Sequence, residues 1–165
     1  MRLDPPTDFQ RQIAAALGID ITNDTREVAA ARIHTFVGPA ILSKAAEYTA
    51  SERQIEFASA LGLTVDTDSS LIASAKIADE LFVRNKAALE LLQLKPGDCV
   101  RVRHQFELAG EQREWVEEFV VSSVQPNGRI MFKGGNGRGA WPTEVEKVVE
   151  VEDTEPGAAP DQQAM

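Results

Sequence analysis

Sliding the sequence along itself by 44 residues lays positions 7–37 over 51–81 without a gap, and nine of the 31 pairs are identical. They are Gln10/Gln54, Ala14/Ala58, Ala16/Ala60, Leu17/Leu61, Gly18/Gly62, Asp24/Asp68, Ala29/Ala73, Ala31/Ala75 and Ile33/Ile77. Thr7/Ser51, Ile13/Phe57, Ile21/Val65, Val28/Ile72 and Arg32/Lys76 add conservative matches. An internal repeat constrains the fold strongly, because each copy has to form one supersecondary unit. Chance can align alanines in an alanine-rich segment, but not also a glycine, an aspartate and the capping residues.

Each shared residue has a local job. Thr7 with Gln10, and Ser51 with Gln54, have capping-box spacing: the hydroxyl takes the third amide and the glutamine reaches back to the cap amide. Ile13, Ala14, Ala16 and Leu17 then mark the buried face of a short helix, and Phe57, Ala58 and Leu61 mark its counterpart. Gly18 and Gly62 end these helices at low cost. Asp24 and Asp68 are expected to cap the second helix of each hairpin, Asp24 with Glu27 as another capping box. Gly38-Pro39 is expected to interrupt the first long helix, with a further short helix over 40–48. The second long helix runs on past Leu81 and Leu89 until Lys95-Pro96-Gly97. Two short helices bury little by themselves, so the copies are expected to pack together about a pseudo-twofold.

From residue 97 the apolar period changes to two. Val100, Val102, His104, Phe106 and Leu108 alternate with Arg101, Arg103, Gln105 and Glu107, a half-buried strand. After the Ala109-Gly110 turn, a strand from about 112 to 125 carries Trp115, Phe119, Val121 and Val124, with a slip near Glu117-Glu118 that suggests a bulge. Pro126-Asn127-Gly128 reads as a type I′ hairpin turn, residues 129–133 as a third strand, and 134–139 as a glycine-rich loop. Trp141-Pro142-Thr143-Glu144-Val145 reads as one helical turn before a closing strand over 148–151.

This order, with the Leu94-Lys95-Pro96-Gly97-Asp98 opening and the Gly-Ala-Trp-Pro-x-x-Val segment before the last strand, resembles an SH3-like barrel over residues 94–151. The resemblance implies a bent, closed sheet with a 3₁₀ turn ahead of its final strand. Peptide-binding SH3 domains line their groove with tyrosines. Tyr48 is the only tyrosine in this chain and lies outside that segment, so proline-rich ligands are not expected. The T-x-x-Q-x-x-[IF]-x-x-x-L-G segments resemble stretches of uncharacterised bacterial proteins, without pointing to a named family. The fold class expected is therefore α+β: an all-α domain over 1–93 built from duplicated hairpins (7–37 and 51–81), an SH3-like β-barrel over 94–152, and a disordered acidic tail over 153–165.

Charge narrows the function classes. The net charge is −9. Residues 1–93 carry 9 basic and 13 acidic side chains, residues 94–149 carry 8 of each, and the last sixteen carry 5 acidic and none basic. Such a chain repels a phosphate backbone at long range, so any nucleic-acid contact falls to a local patch on the neutral segment. Arg101, Arg103, Arg129, Lys133, Asn136, Arg138 and Trp141 are the candidate binding residues, cationic groups edged by an aromatic that could hold a backbone and stack a base. The loop 134–139 has backbone amides for an anion, but its spacing fits neither the Walker nor the Rossmann pattern.

No catalytic motif stands out. His34 and His104 have no acidic or cysteine partner at ligand spacing, and the lone Cys99 reads as a packing residue. The expectation is no enzyme activity, no cofactor and no metal. A single cysteine and the lack of a leader-like start or a long apolar run point to a reducing cytoplasm and no membrane span. The expected function is that of a bacterial-type accessory protein. Its helical repeats would dock a protein partner, and its barrel would contact protein or nucleic acid. The alternative is an acidic inhibitor that imitates nucleic-acid charge toward a basic enzyme.

Overall fold

The computed structural model describes residues 3–41, 49–108 and 110–148. The chain divides into two compact units, residues 1–91 with 126–128 and residues 92–125 with 129–165. Among the described residues four helices precede a five-stranded antiparallel sheet, an α+β arrangement.

The helical unit holds α1 (Asp8–Leu17), α2 (Arg26–Ile41), α3 (Glu52–Ala60) and α4 (Ser70–Leu92). Both expected capping boxes form, on Thr7 with Gln10 and on Ser51 with Gln54. Gly18 (φ 69°) and Gly62 (φ 77°) follow α1 and α3 in the left-handed conformation. Hydrogen bonds recur at the 44-residue offset: Ile19 N to Ala14 O and Leu63 N to Ala58 O are both 2.8 Å. The ion pairs Arg32–Asp24 and Lys76–Asp68 are both 2.7 Å.

The second helices are capped one residue later than expected. Thr25 Oγ1 accepts from Val28 N, and Ser69 Oγ from Ile72 N, each at 3.3 Å. Asp24 and Asp68 are instead held by the cation eight residues on, which a helix brings back to its own N-terminus. The resulting pair raises the Arg32 pKa, chiefly through the Asp24 hydrogen bond. Gly38-Pro39 does not stop α2, which runs on to Ile41. Pro39 lies in the last turn, so only the bond to the Thr35 carbonyl is forfeited there. Of the expected short helix, residues 40 and 41 belong to α2 and 42–48 lie outside the described residues.

Each hairpin encloses a small core of its own. Ala14, Ile21 and Ala29 form one, and Ala50, Ala58, Val65, Ala73 and Ile77 the other. The alanines let the helices come close enough for one branched side chain from the extended link to fill the gap between them. Phe57 (48% exposed) and Ala16 face outward rather than into these cores. Between hairpins, Thr25 Oγ1 donates to Asp79 Oδ2 at 2.6 Å, and Thr35 and Ser69 share a 2.7 Å hydroxyl bond. The offset converts Thr25 into Ser69 and Thr35 into Asp79, so each contact is the other with the hairpins exchanged. A twofold axis generates this reciprocity.

The second unit is a meander, β1 (Cys99–Leu108), β2 (Glu111–Val124), β3 (Ile130–Phe132) and β4 (Gly139–Ala140), with β5 (Val145–Lys147) returning beside β1. The strand order is β4-β3-β2-β1-β5, and no pairing of β4 with β5 closes it among the described residues. Val100, Val102, Val121, Ile130, Phe132, Ala140 and Val145 form the core. β2 serves two ladders: residues 111–120 pair with β1 and residues 121–124 with β3. Its bulge lies between Val121 and Ser123, where the strand changes partner, while the register with β1 runs unbroken through Glu117 and Glu118.

The hairpin loop Pro126-Asn127-Gly128 is closed by Gln125 N to Arg129 O at 2.9 Å, and only Gly128 (φ 89°) has positive φ. A three-residue loop needs one left-handed residue rather than the two of a type I′ turn. The helical turn forms as a 3₁₀ segment, Pro142–Glu144, but the strand after it starts at Val145, three residues before the expected position. Burial of Val145 opposite Val102 sets that start. Residues 149–165, including the expected acidic tail, lie outside the described residues.

Candidate functional site

Strand alternation puts Arg101 and Arg103 on the outer face of β1, and the neighbouring strands answer them with glutamates. Arg101 bonds Glu118 directly opposite at 2.7 Å. Arg103 bonds Glu114 at 2.7 Å and Glu146 of β5 at 3.1 Å. Those two carboxylates raise the Arg103 pKa, the Glu146 bond most. Cross-strand ion pairs in this exposed setting stabilise little, because solvent screens them. They also occupy the cations that a phosphate backbone would need.

On the inner face the phase that carries Val102 and His104 meets Trp115, Glu117 and Phe119 of β2. Glu117 is the residue that makes the alternation slip in the sequence. It stays in phase because Arg138 reaches it from the glycine loop, Nη2 donating to Oε1 at 3.1 Å and Oε2 at 2.9 Å. The Arg138 guanidinium carbon lies 4.7 Å from the Phe119 ring centroid, and Phe119 stacks on Phe132 at 4.3 Å. His104 stacks on Trp115 at 4.4 Å, and its Nε2 is 3.7 Å from Glu117 Oε2, too long for a hydrogen bond. His104 therefore does have an acidic neighbour. The partner comes from the adjacent strand, at a register that spacing along one strand cannot show.

Val102, His104, Phe119, Phe132 and Arg138 border a cavity of about 310 Å³. Val102, Phe119, Phe132 and Ala140 give it apolar surface, and Arg129, Arg138, His104 and Glu144 give it polar groups; Arg103 also borders it, with its guanidinium held on the outer face by Glu114 and Glu146. Three of the seven expected binding residues, Arg103, Arg129 and Arg138, thus meet at one hollow. The other four do not line it. Arg101 stays on the outer face, Lys133 and Asn136 are exposed at and beyond the end of β3, and Trp141 (39% exposed) stands at the start of the 3₁₀ turn. The Trp141 amide donates to Glu144 Oε2 at 2.8 Å.

A second concavity belongs to the helical unit, an open groove of about 490 Å³ beside α3 and α4. Phe57, Ile77, Ala78 and Leu81 supply its apolar lining, and Arg53, Gln54 and Ser74 its polar edge. Arg53 makes no ion pair among the described residues. The sequence reading placed Phe57 in a core and so missed this groove. The repeat itself held the signal: the first hairpin has Phe9, Ile13, Ala30 and His34 where the second has Arg53, Phe57, Ser74 and Ala78.

Among the described residues no group of three or more His, Cys, Asp and Glu side chains is placed to hold a metal ion, and no helix is long and apolar enough to cross a membrane. Comparison of the chain with protein-family models, with curated proteins and with solved structures gave no match.

Proposed function

We propose that this chain is a non-catalytic, cytoplasmic interaction protein of the bacterial accessory type, whose helical unit docks a partner protein. In this reading the hairpins are two copies of one ancestral unit, and the second copy has diverged into the docking face. The β unit reads as an SH3-like barrel, a view supported by the β4-β3-β2-β1-β5 order, the 3₁₀ turn before β5 and the sharing of β2 between two ladders. It would contact protein in preference to nucleic acid, since Arg101, Arg103 and Arg138 already have glutamate partners.

The groove beside Phe57 is the observation that carries this reading. An exposed aromatic next to Ile77, Ala78 and Leu81, with a cation at the edge that makes no ion pair among the described residues, fits an amphipathic helix that lays apolar anchors in the groove and offers one carboxylate to Arg53. The test is photo-crosslinking from position 57 in extract of the native cell, then binding measurements with the purified partner. Phe57→Asp is expected to weaken binding at least tenfold with helical content unchanged, as for a central aromatic anchor. Full binding by Phe57→Asp and by Arg53→Glu sinks the reading. So does salt-sensitive binding of DNA or RNA that disappears in the Arg101/Arg103/Arg138→Ala protein. Displacement of nucleic acid from a basic enzyme by the intact chain would favour charge mimicry instead.

A further inference from the structure

The β1–β2 hairpin outruns the rest of the sheet. β5 pairs with β1 only from Val100 to Val102, and β3 pairs with β2 only from Val121 to Val124. The β2 edge from Gln112 to Glu118 therefore has no neighbouring strand among the described residues. Two bonds fix which groups that edge presents. Val121 N donates to Asp98 O at 2.8 Å, which turns Val121 toward the β1 side, and Lys133 N donates to Val120 O at 2.8 Å, which turns Val120 the other way. The register with β1 is unbroken from Glu111 to Val120, so by alternation Gln112, Glu114, Val116 and Glu118 aim their N–H and C=O groups outward. An open edge of this kind is a template for another strand.

The side chains select a second copy of the same edge. Antiparallel pairing about a twofold axis sets residues of one face opposite each other, with the axis passing through one residue of β2. Centring on Arg113, Glu114, Glu117 or Glu118 puts a charge against itself. Centring on Val116 puts Glu114 against Glu118, and centring on Gln112 runs into the turn at Gly110. Centring on Trp115 sets no like charges directly opposite. It pairs Arg113 with Glu117, Gln112 with Glu118 and Glu114 with Val116, and lays Trp115 against its own copy. Trp115 is 49% exposed and already stacks on His104 at 4.4 Å. The axis extends that stack into a row, His104–Trp115–Trp115–His104, across both copies.

We propose that the open edge of β2 pairs with the same edge of a second copy, antiparallel and centred on Trp115. Gln112, Glu114, Val116 and Glu118 exchange main-chain bonds across the axis, and each Arg113 meets the partner's Glu117. The surface lies wholly in the β unit, so its outcome and that of the Phe57 groove are read separately.

Sedimentation velocity of the full chain from about 10 to 500 µM is expected to show reversible dimerisation, with a Kd on the order of 10–100 µM for so short a ladder. Hydrogen exchange at the top of that range should slow the Glu114 and Val116 amides relative to the bottom, and leave the Trp115 amide, which faces β1, unchanged. Val116→Pro deletes an outward N–H and no bond to β1, so it should keep the chain monomeric throughout. Arg113→Glu faces the partner's Glu117 with a like charge and should weaken dimerisation at least tenfold. Unchanged Val100 and Val121 amide positions show that the sheet is intact in both variants. A parent that stays monomeric at the highest concentration, a dimer that either variant leaves equally strong, or slowed exchange confined to other segments overturns the proposal.

Discussion

Glutamate serves a capping box as well as glutamine does, yet both hairpins use glutamine. The structure gives a reason that can be measured. Gln10 Oε1 accepts from Thr7 N at 2.8 Å and from the Thr7 hydroxyl at 3.3 Å, and its Nε2 donates to the carbonyl of Arg26, the first residue of α2, at 3.0 Å. Gln54 accepts from Ser51 N at 2.9 Å and from the Ser70 hydroxyl at 3.1 Å, and donates to Ser70 O at 3.0 Å and Ser74 Oγ at 2.8 Å. One side chain therefore caps its own helix and ties the hairpin shut. With these exposed or half-buried bonds at about 0.5 kcal/mol each, Gln10→Ala removes about 1.5 kcal/mol and Gln54→Ala about 2. Alanine's better helix propensity returns about 0.3 kcal/mol in each. The difference of about 0.5 kcal/mol corresponds to roughly 2–4 °C in the melting of a unit this size, read by far-ultraviolet circular dichroism. Gln54→Glu preserves the cap but turns an anion toward the Ser70 carbonyl, and should cost about 1 kcal/mol or more at neutral pH. A glutamate variant as stable as the parent would falsify the clasp. Equal losses for the two alanine variants would show that the extra serine bonds of the second hairpin contribute nothing.

Burial holds the Asp79 carboxyl above its usual range, against the lowering effect of the Thr25 bond, and Glu27 nearby pushes it the same way. The protonated form is the one favoured by folding, so this residue's contribution is most favourable below the unfolded value and is lost as pH rises through the folded one. Asp79→Asn, which keeps an oxygen for the Thr25 hydroxyl, should raise the midpoint of urea unfolding at pH 7 and flatten its dependence on pH between 4 and 7, as seen by titration of the melting curve. A lower midpoint at pH 7 would contradict this. Gln93 follows α4 with φ 45°, a conformation that costs a non-glycine residue on the order of 1 kcal/mol. Gln93→Gly should stabilise by about 0.5 kcal/mol after glycine's larger unfolded-state entropy is subtracted. A destabilised variant in denaturant melts would refute the strain.

The helices were legible because their signals are local. Capping boxes, helix-ending glycines and the change of period near residue 97 each lie within a few positions of the structure they specify. The misreadings come from geometry that spans elements. Asp24 looked like a cap because its partner Arg32, eight residues away, meets it only after the helix has formed. Glu117 looked like a defect in the strand because the group that neutralises it arrives from a loop 21 residues later. Of the candidate site, the sequence supplied Arg103, Arg129 and Arg138 through charge alone. It could not tell them from Arg101 and Lys133, because which cations share a hollow depends on strand register.

The same limit explains why the repeat is the better guide to function than the charged residues are. Two hairpins with the same bonds form an internal control: positions the fold needs should agree between them, and positions free of the fold can drift. Ala14/Ala58, Ala29/Ala73, Gln10/Gln54 and Asp24/Asp68 agree, and each is buried or bonded. Of the groove positions, Gln10/Gln54 and Ile33/Ile77 agree, while Phe9/Arg53, Ile13/Phe57, Ala30/Ser74 and His34/Ala78 do not. Phe9 and Phe36 of the first hairpin are exposed as well, so an exposed aromatic alone does not set the second hairpin apart. What the second hairpin adds is Phe57 beside Ile77, Ala78 and Leu81 in one groove, which makes that surface the place to test the docking proposal.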